Sequence, residues 1–172
     1  MNITVMRDFL FLLIGSLLLT MIGCSDSNDI NPSSVSGYNY TDYYIHQFRI
    51  SSENQFLSAG GSNMLPKEAG KQRSESGGSC CIGIPSHWRP GMKLVIKWKV
   101  DKIQDGKTPS EWYTATTDVP PYGARTYGFV VHFLPGDRIR VEIEDKPEMA
   151  KTPADNDPYI VQGVLDPELN KK

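Results

Sequence analysis

The feature that most constrains the fold of this 172-residue chain is a two-residue alternation of apolar side chains. It is clearest at residues 92–100, where Met92, Leu94, Ile96, Trp98 and Val100 alternate with a second set that includes Lys93, Lys97 and Lys99. Because successive side chains of a strand point to opposite faces, this pattern predicts a strand with one apolar and one cationic face. Such a strand is typical of an antiparallel sheet that buries one face.

Other segments repeat the alternation. They lie at residues 38–50, 127–133 and 139–143, with weaker candidates at 111–117 and 159–164. Pro135, Gly136 and Asp137 separate two of these segments and form a turn signal, which predicts a hairpin. By contrast, residues 51–78 hold two glycine pairs and no helical period, which predicts a long loop, either functional or a plain excursion.

The 15 glycines and 12 prolines are distributed at the ends of these segments, as expected for a chain with many turns. The fold class predicted is all-β: an antiparallel β-sandwich or open barrel of about five to seven strands with long loops. The length of the chain after its N-terminal segment fits one domain.

The N-terminal segment resembles an export signal. Arg7 precedes an apolar run from Phe9, and the run ends at Met21-Ile22-Gly23-Cys24, which resembles a bacterial lipobox with Met in place of the usual Leu. We therefore expect a signal peptide at 1–23, lipidation of Cys24, a flexible tether over 24–36 and a single β domain over 37–172. Ser25 after the cysteine, rather than Asp, indicates a lipid anchor on the periplasmic face of the outer membrane.

Composition and motifs narrow the function. A formal net charge of −2 gives no support to nucleic-acid binding, which usually needs a basic surplus on one face. The chain contains no GxSxG, HExxH or P-loop motif, so we predict no enzyme, cofactor or metal site.

Cys80 and Cys81 are the two cysteines left if Cys24 carries lipid. As neighbours they can stay free, pair between chains or form a vicinal disulfide, and their spacing does not suit zinc. A thiol nucleophile would need one of three histidines as base: His46, His87 or His132. The strand pattern places His132 opposite Phe129 and Phe133, exposed or hydrogen-bonded, and His46 on the face of Tyr44 and Phe48.

Residues 77–91, GGSCCIGIPSHWRPG, join the tandem cysteines to Trp88 and Arg89. Glycine permits unusual backbone angles and proline restricts the backbone. The segment is therefore suited to forming a rigid surface projection that presents Trp88 and Arg89 to a partner. The alternative is a structural turn into the strand at 92–100, with Trp88 covering the core edge.

Several motifs together resemble a family of Gram-negative lipoproteins known as a domain of unknown function. They are GYNYTD from Gly37, GSCC from Gly78, Pro85, Trp88, Pro90-Gly91, Trp98 and VHFLP from Val131, and the resemblance spans roughly Gly37 to Val141. Members are often encoded near type VI secretion genes, and some resemble immunity lipoproteins for secreted phospholipases. The family brings no established catalytic residues.

The resemblance implies a non-enzymatic inhibitor of a phospholipase toxin, with Trp88, Arg89 and residues 51–76 as candidate contacts. Two alternatives stay open: an envelope lipoprotein of structural role, and a thiol-dependent enzyme using Cys80 and Cys81. Under each hypothesis the protein is held at the membrane by its N-terminal lipid.

Overall fold

The structure, a computed structural model, describes residues 30–52, 55–148 and 150–171. In chain order the strands are β1 (Ile30–Asn39), β2 (Tyr44–Ser52), β3 (Gln55–Gly61), β4 (Ser74–Glu75), β5 (Ser79–Pro85), β6 (Lys93–Asp101), β7 (Glu111–Asp118), β8 (Gly128–Leu134), β9 (Arg138–Glu144), β10 (Val161–Gln162) and β11 (Val164–Leu165). Within the described residues there is no helix, and so none long and apolar enough to cross a membrane.

The strands form two sheets. The six-stranded sheet has the order β10-β9-β8-β1-β4, with β5 also paired to β1, and the five-stranded sheet has the order β11-β7-β6-β2-β3. The all-β prediction is confirmed, and the arrangement is consistent with a β-sandwich rather than a closed barrel. The described residues form eleven strands, against the five to seven expected, because the two-residue strands β4, β10 and β11 and the glycine-containing strands β3 and β5 carry too little alternating pattern to be recognised.

The alternating segments form the core. In β6, Leu94, Ile96, Trp98 and Val100 are buried and the lysines point outward, as predicted. Strands β8 and β9 pair as the predicted hairpin, and their apolar residues meet those of β6 between the sheets. Every residue of β8 is buried, because Ala150 and Ile160 help to cover its outer face.

One pairing differs from the antiparallel prediction. Strands β1 and β8 run parallel, with Tyr38 beside His132. Parallel neighbours need a crossover connection, and here the chain between them forms four strands of the five-stranded sheet, together with β4 and β5 of the six-stranded sheet, before it returns. The predicted strand over 38–50 is also divided, since β1 ends at Asn39 and β2 begins at Tyr44 in the opposite sheet.

The prediction of a flexible tether over residues 24–36 is wrong for its C-terminal part. Residues 30–36 belong to β1, where Val35 is fully buried and pairs with Phe129 on one side and Ser79 on the other. Two flanking strands satisfy its backbone, which outweighs a serine-rich composition that favours disorder. The signal peptide, Cys24 and the tether up to residue 29 lie outside the described residues.

The predicted loop over 51–78 is wrong in part, because it contains β3 and β4. Strand β3 pairs with β2, and Met64 is buried and forms a bridge with Ile45. Gly61 lies against the ring of Phe48, where any Cβ would collide with the aromatic carbons. Glycine permits this close packing but gives no alternating signal in the sequence.

Candidate functional site

A buried polar cluster lies on the outer face of the six-stranded sheet. The parallel register of β1 and β8 sets Tyr38 beside His132, and the backbone of Tyr40 continues this pairing through a hydrogen bond to Phe133 O. His132 is fully buried; its Nδ1 lies 3.0 Å from the Tyr40 hydroxyl and its Nε2 lies 3.3 Å from Glu142 Oε2. The GYNYTD and VHFLP motifs therefore meet in space.

Charge and burial set the protonation of the cluster. Burial lowers the pKa of His132, although its hydrogen bond to Glu142 acts in the opposite direction. Burial opposes ionisation of Glu142, but the His132 hydrogen bond and the positive charge of Arg140, 2.7 Å away, lower its pKa overall. A neutral imidazole with its proton on Nε2 satisfies both partners, because it donates to Glu142 and accepts from Tyr40.

Arg73 connects this cluster to the surface. Its guanidinium lies 3.6 Å from the centre of the Tyr38 ring, and its Nη1 donates to the Tyr40 hydroxyl at 3.3 Å and to Ala150 O at 3.1 Å. A stacked and hydrogen-bonded arginine is strongly fixed. Arg73 thereby fixes one end of the segment 62–76, which we name the displayed loop.

Residues of the GYNYTD motif hold the rest of the displayed loop. Asn39 is fully buried, and its amide donates to Leu65 O at 2.9 Å and to Tyr43 O at 2.8 Å. Thr41 O accepts from Lys67 N at 2.9 Å, and Ser74 Oγ also donates to Leu65 O. Hydrogen bonds from the Asn39 side chain and the Thr41 backbone thus fix the path of the displayed loop, whose Leu65 side chain faces solvent.

A second pair of bonds closes the base of the loop. Gly37 N donates to Ser76 Oγ at 2.7 Å, and Ser76 N donates to Gly37 O at 2.9 Å. Sequence reasoning missed this arrangement because the hydrogen-bonded residues are up to 39 positions apart. The GYNYTD motif alone does not reveal which backbone groups its residues bind.

The surface of the displayed loop is mixed in character. Leu65 is 61% exposed, and Glu68 and Lys71 form an ion pair of 2.7 Å in solvent. Together with Arg73 and Glu75, these side chains line an open groove. An exposed leucine surrounded by charges of both signs is suited to docking against a protein surface.

The segment with the tandem cysteines lies elsewhere. Cys80 and Cys81 are exposed at the start of β5, where the register shifts so that both stand opposite Ser34 as a β-bulge. Their sulfur atoms lie within bonding distance, the arrangement that a vicinal disulfide requires.

Trp88 and Arg89 differ in how far they are buried. Trp88 is half-buried, packs against the core and donates from Nε1 to Val119 O at 2.9 Å, which is the structural role that the sequence left as the alternative. Arg89 is exposed. Nearby, the Tyr122 hydroxyl donates to Pro85 O at 2.7 Å and fixes the end of β5.

The displayed loop, residues 62–76 of the predicted contact range, does not form one surface with Arg89. Along β1, Ile30 pairs with Pro85, and nine residues further on Asn39 pairs with Ser74. At about 3.3 Å per residue, the displayed loop and the Arg89 segment are about 30 Å apart at opposite ends of the sandwich.

The three histidines do not share one site. His132 is hydrogen-bonded as expected, but it is not exposed, because the segment around Ala150 covers this face. His46 shares a face with Tyr44, whose ring centroid lies 4.6 Å from its own, so that part of the prediction is confirmed. A bulge in β2 between Ile45 and Gln47 turns His46 away from the Phe48 face, so that part is wrong. His46 contacts Ser110 at 2.9 Å, and His87 contacts Ser86 at 2.9 Å. Within the described residues, no histidine is hydrogen-bonded to Cys80 or Cys81.

Comparison with known families decides the assignment. Residues 38–141, more than half of the chain, match the model described as "Protein of unknown function (DUF3304)". The chain belongs to the DUF3304 family. The DUF3304 match includes the displayed loop, the tandem cysteines and β8, and it agrees with the range over which the motifs resemble a domain of unknown function. No curated protein and no solved structure matches this DUF3304 chain.

Proposed function

We propose that this DUF3304 protein is a non-enzymatic binding protein: an immunity lipoprotein that neutralises a type VI secretion phospholipase effector. The observation that carries the proposal is Leu65. Its side chain is 61% exposed, while its carbonyl oxygen is held by the fully buried Asn39 and by Ser74. Asn39 of the GYNYTD motif and Ser74 thus fix the backbone that presents this apolar side chain to solvent.

Fixing a loop before binding favours affinity. Ordering a flexible segment costs about 0.5–1.5 kcal/mol for each immobilised side chain, and a loop already held by Asn39, Arg73 and Ser76 avoids part of that cost. A standard interface needs about 800 Å² on each partner. The displayed loop supplies its centre, with Leu65 as the apolar anchor and the charged groups of Glu68 and Lys71 at the rim.

The N-terminal sequence supports the location that this function requires. A toxin that hydrolyses phospholipids from the periplasm must be met there, and a lipid on Cys24 would hold the protein at the periplasmic face of the outer membrane. The motif resemblance to immunity lipoproteins adds the phospholipase as partner. Blocking such an enzyme needs a complementary surface and no catalytic group.

Rescue of intoxicated cells tests the proposal. We expect the phospholipase encoded by an adjacent gene to kill cells when it is directed to the periplasm, and co-expression of this chain to restore growth. The two proteins should also co-purify from solubilised envelopes. Failure of both rescue and co-purification would contradict the proposal and leave a structural envelope role.

The exposed Cys80–Cys81 pair favours a second candidate, a thiol-dependent enzyme. Replacing both cysteines with serine distinguishes the two functions. A thiol enzyme loses all activity, whereas a binding protein keeps rescue at matched expression levels, because the pair lies far from Leu65 along β1. Loss of rescue in a folded double variant would favour the thiol function.

A further inference from the structure

An apolar cavity of about 270 Å³ opens between the sheets at the end opposite the displayed loop. Both sheets contribute aliphatic or aromatic side chains to its wall: Ile82, Ile84, Leu94, Val119, Phe129 and Ile143. Protein interiors are close-packed, and voids much larger than one water molecule are few. A cavity of this size and lining is suited to an apolar occupant, since apolar cavities of engineered proteins stay dry and bind hydrocarbons.

The volume limits the size of the occupant. At about 30 Å³ per heavy atom, close to the share of one water molecule in the liquid, the cavity holds roughly nine carbon atoms. It is open to solvent beside Gly91, so a chain can enter while its polar end remains outside. An aliphatic chain meets these conditions better than a compact polar metabolite, because the wall offers few hydrogen-bonding groups.

Two cations stand at the opening. Arg89 and Lys93 both line the cavity and are exposed. Lys93 Nζ is paired with Asp118 at 3.0 Å, whereas no carboxylate of the described residues lies within ion-pair distance of Arg89. A guanidinium is well suited to binding a carboxylate or phosphate through two parallel hydrogen bonds.

A buried hydroxyl also lies in the wall. The hydroxyl of Ser52 lines the cavity and is buried, and none of the described groups is hydrogen-bonded to it. Buried hydroxyls are usually paired, so this atom is available to a polar atom of a bound molecule.

We propose that this cavity binds an anionic amphiphile: an aliphatic chain of about nine carbons between the sheets, with its carboxylate or phosphate head on Arg89. The chain can come from a free fatty acid or from a lipid with an anionic head, because both present the same chemistry. This site is separate from the displayed loop and does not rest on the proposed function.

Carbon-13 NMR of carboxyl-labelled decanoate tests the proposal on the full chain reconstituted in phosphatidylcholine vesicles. We expect a protein-bound carboxyl resonance, distinct from that of vesicle-bound decanoate, that saturates at one equivalent. Decyltrimethylammonium, with the same chain and the opposite charge, should fail to displace it. A parallel phosphorus-31 titration with decanoyl-lysophosphatidylglycerol distinguishes a lipid head from a free acid.

Variants locate the site. Arg89→Ala should weaken decanoate binding about tenfold, the loss of one charge-assisted contact. The matched Arg138→Ala, beside the β8–β9 turn at the other end of the sheet, should leave binding unchanged. Ile84→Phe narrows the cavity and should abolish the resonance. No saturable resonance with either probe, displacement by the cation, or equal effects of Arg89→Ala and Arg138→Ala would overturn the proposal.

Discussion

His132 shows how one residue combines burial with polarity in this protein. It lies between two tyrosine rings, with Tyr38 edge-on at 5.5 Å and Tyr40 stacked at 5.8 Å between centroids. Its two ring nitrogens contact Tyr40 and Glu142, so each polar atom has a partner in a fully buried position. Because burial lowers the pKa of His132, the folded protein favours its neutral form.

This environment predicts a pH dependence of stability. Since burial lowers the pKa of His132 below its ordinary value of 6.5, the unfolded chain binds a proton more readily than the folded chain. The free energy of unfolding should therefore be highest above about pH 6.5 and fall as the pH drops from there toward the folded-state pKa. Thermal unfolding at pH 7.5 and 5.5 measures this loss.

A His132→Gln variant provides the comparison, because its side chain does not titrate. Glu144 acts in the opposite sense, since burial raises its pKa and folding then favours the protonated form as the pH falls. This contribution is common to both proteins and cancels in their difference. An equal fall in melting temperature for wild type and His132→Gln would contradict the role assigned to His132.

At the scale of elements, the displayed loop depends on Asn39. Replacing Asn39 with Ala removes bonds to Leu65 O, Tyr43 O and the Thr41 backbone and leaves buried groups unpaired. We expect the free energy of unfolding to fall by about 2 to 3 kcal/mol. Amide hydrogen exchange should accelerate across residues 62–76 more than in β6.

The exposed Asn156 serves as the control for that measurement. Asn156→Ala should change stability by less than about 0.5 kcal/mol, as surface substitutions usually do. If Asn39→Ala leaves exchange of the displayed loop at the wild-type rate, the loop is not held as described.

The elements differ in how far the sequence predicts them. Strand β6 and the β8–β9 hairpin follow from alternation and a turn signal, because β6 and β9 each bury one face along their length and β8 lies beside β9. Strand β3 is not predictable in this way, since Gly60 and Gly61 lie within it and Gly61 packs through its lack of a side chain. The bulge beside His46 reverses a face without any sequence signal.

At the scale of the whole molecule, the sandwich separates two surfaces by about 30 Å along β1. Sequence reasoning grouped Arg89 with residues 51–76 because it had no strand order, and only the register of β1 with β4 and β5 places the displayed loop at the opposite end from Arg89. Ser52, at the start of that range, instead lines the cavity beside Arg89. The cavity beside Arg89 depends on how two sheets meet, which local patterns do not encode. The displayed loop likewise depends on contacts between distant segments.

The central claim is that the displayed loop binds a protein partner through Leu65. The most direct measurement is the affinity of the full chain for the type VI secretion phospholipase proposed as its partner, with Leu65→Asp compared against Val164→Asp. Val164 is similarly exposed, at 59% against 61%, but lies on β11 at the other edge of the five-stranded sheet. We predict a loss of about thirtyfold or more for Leu65→Asp and no change for Val164→Asp. Wild-type affinity in Leu65→Asp, or an equal loss in both variants, would contradict the account.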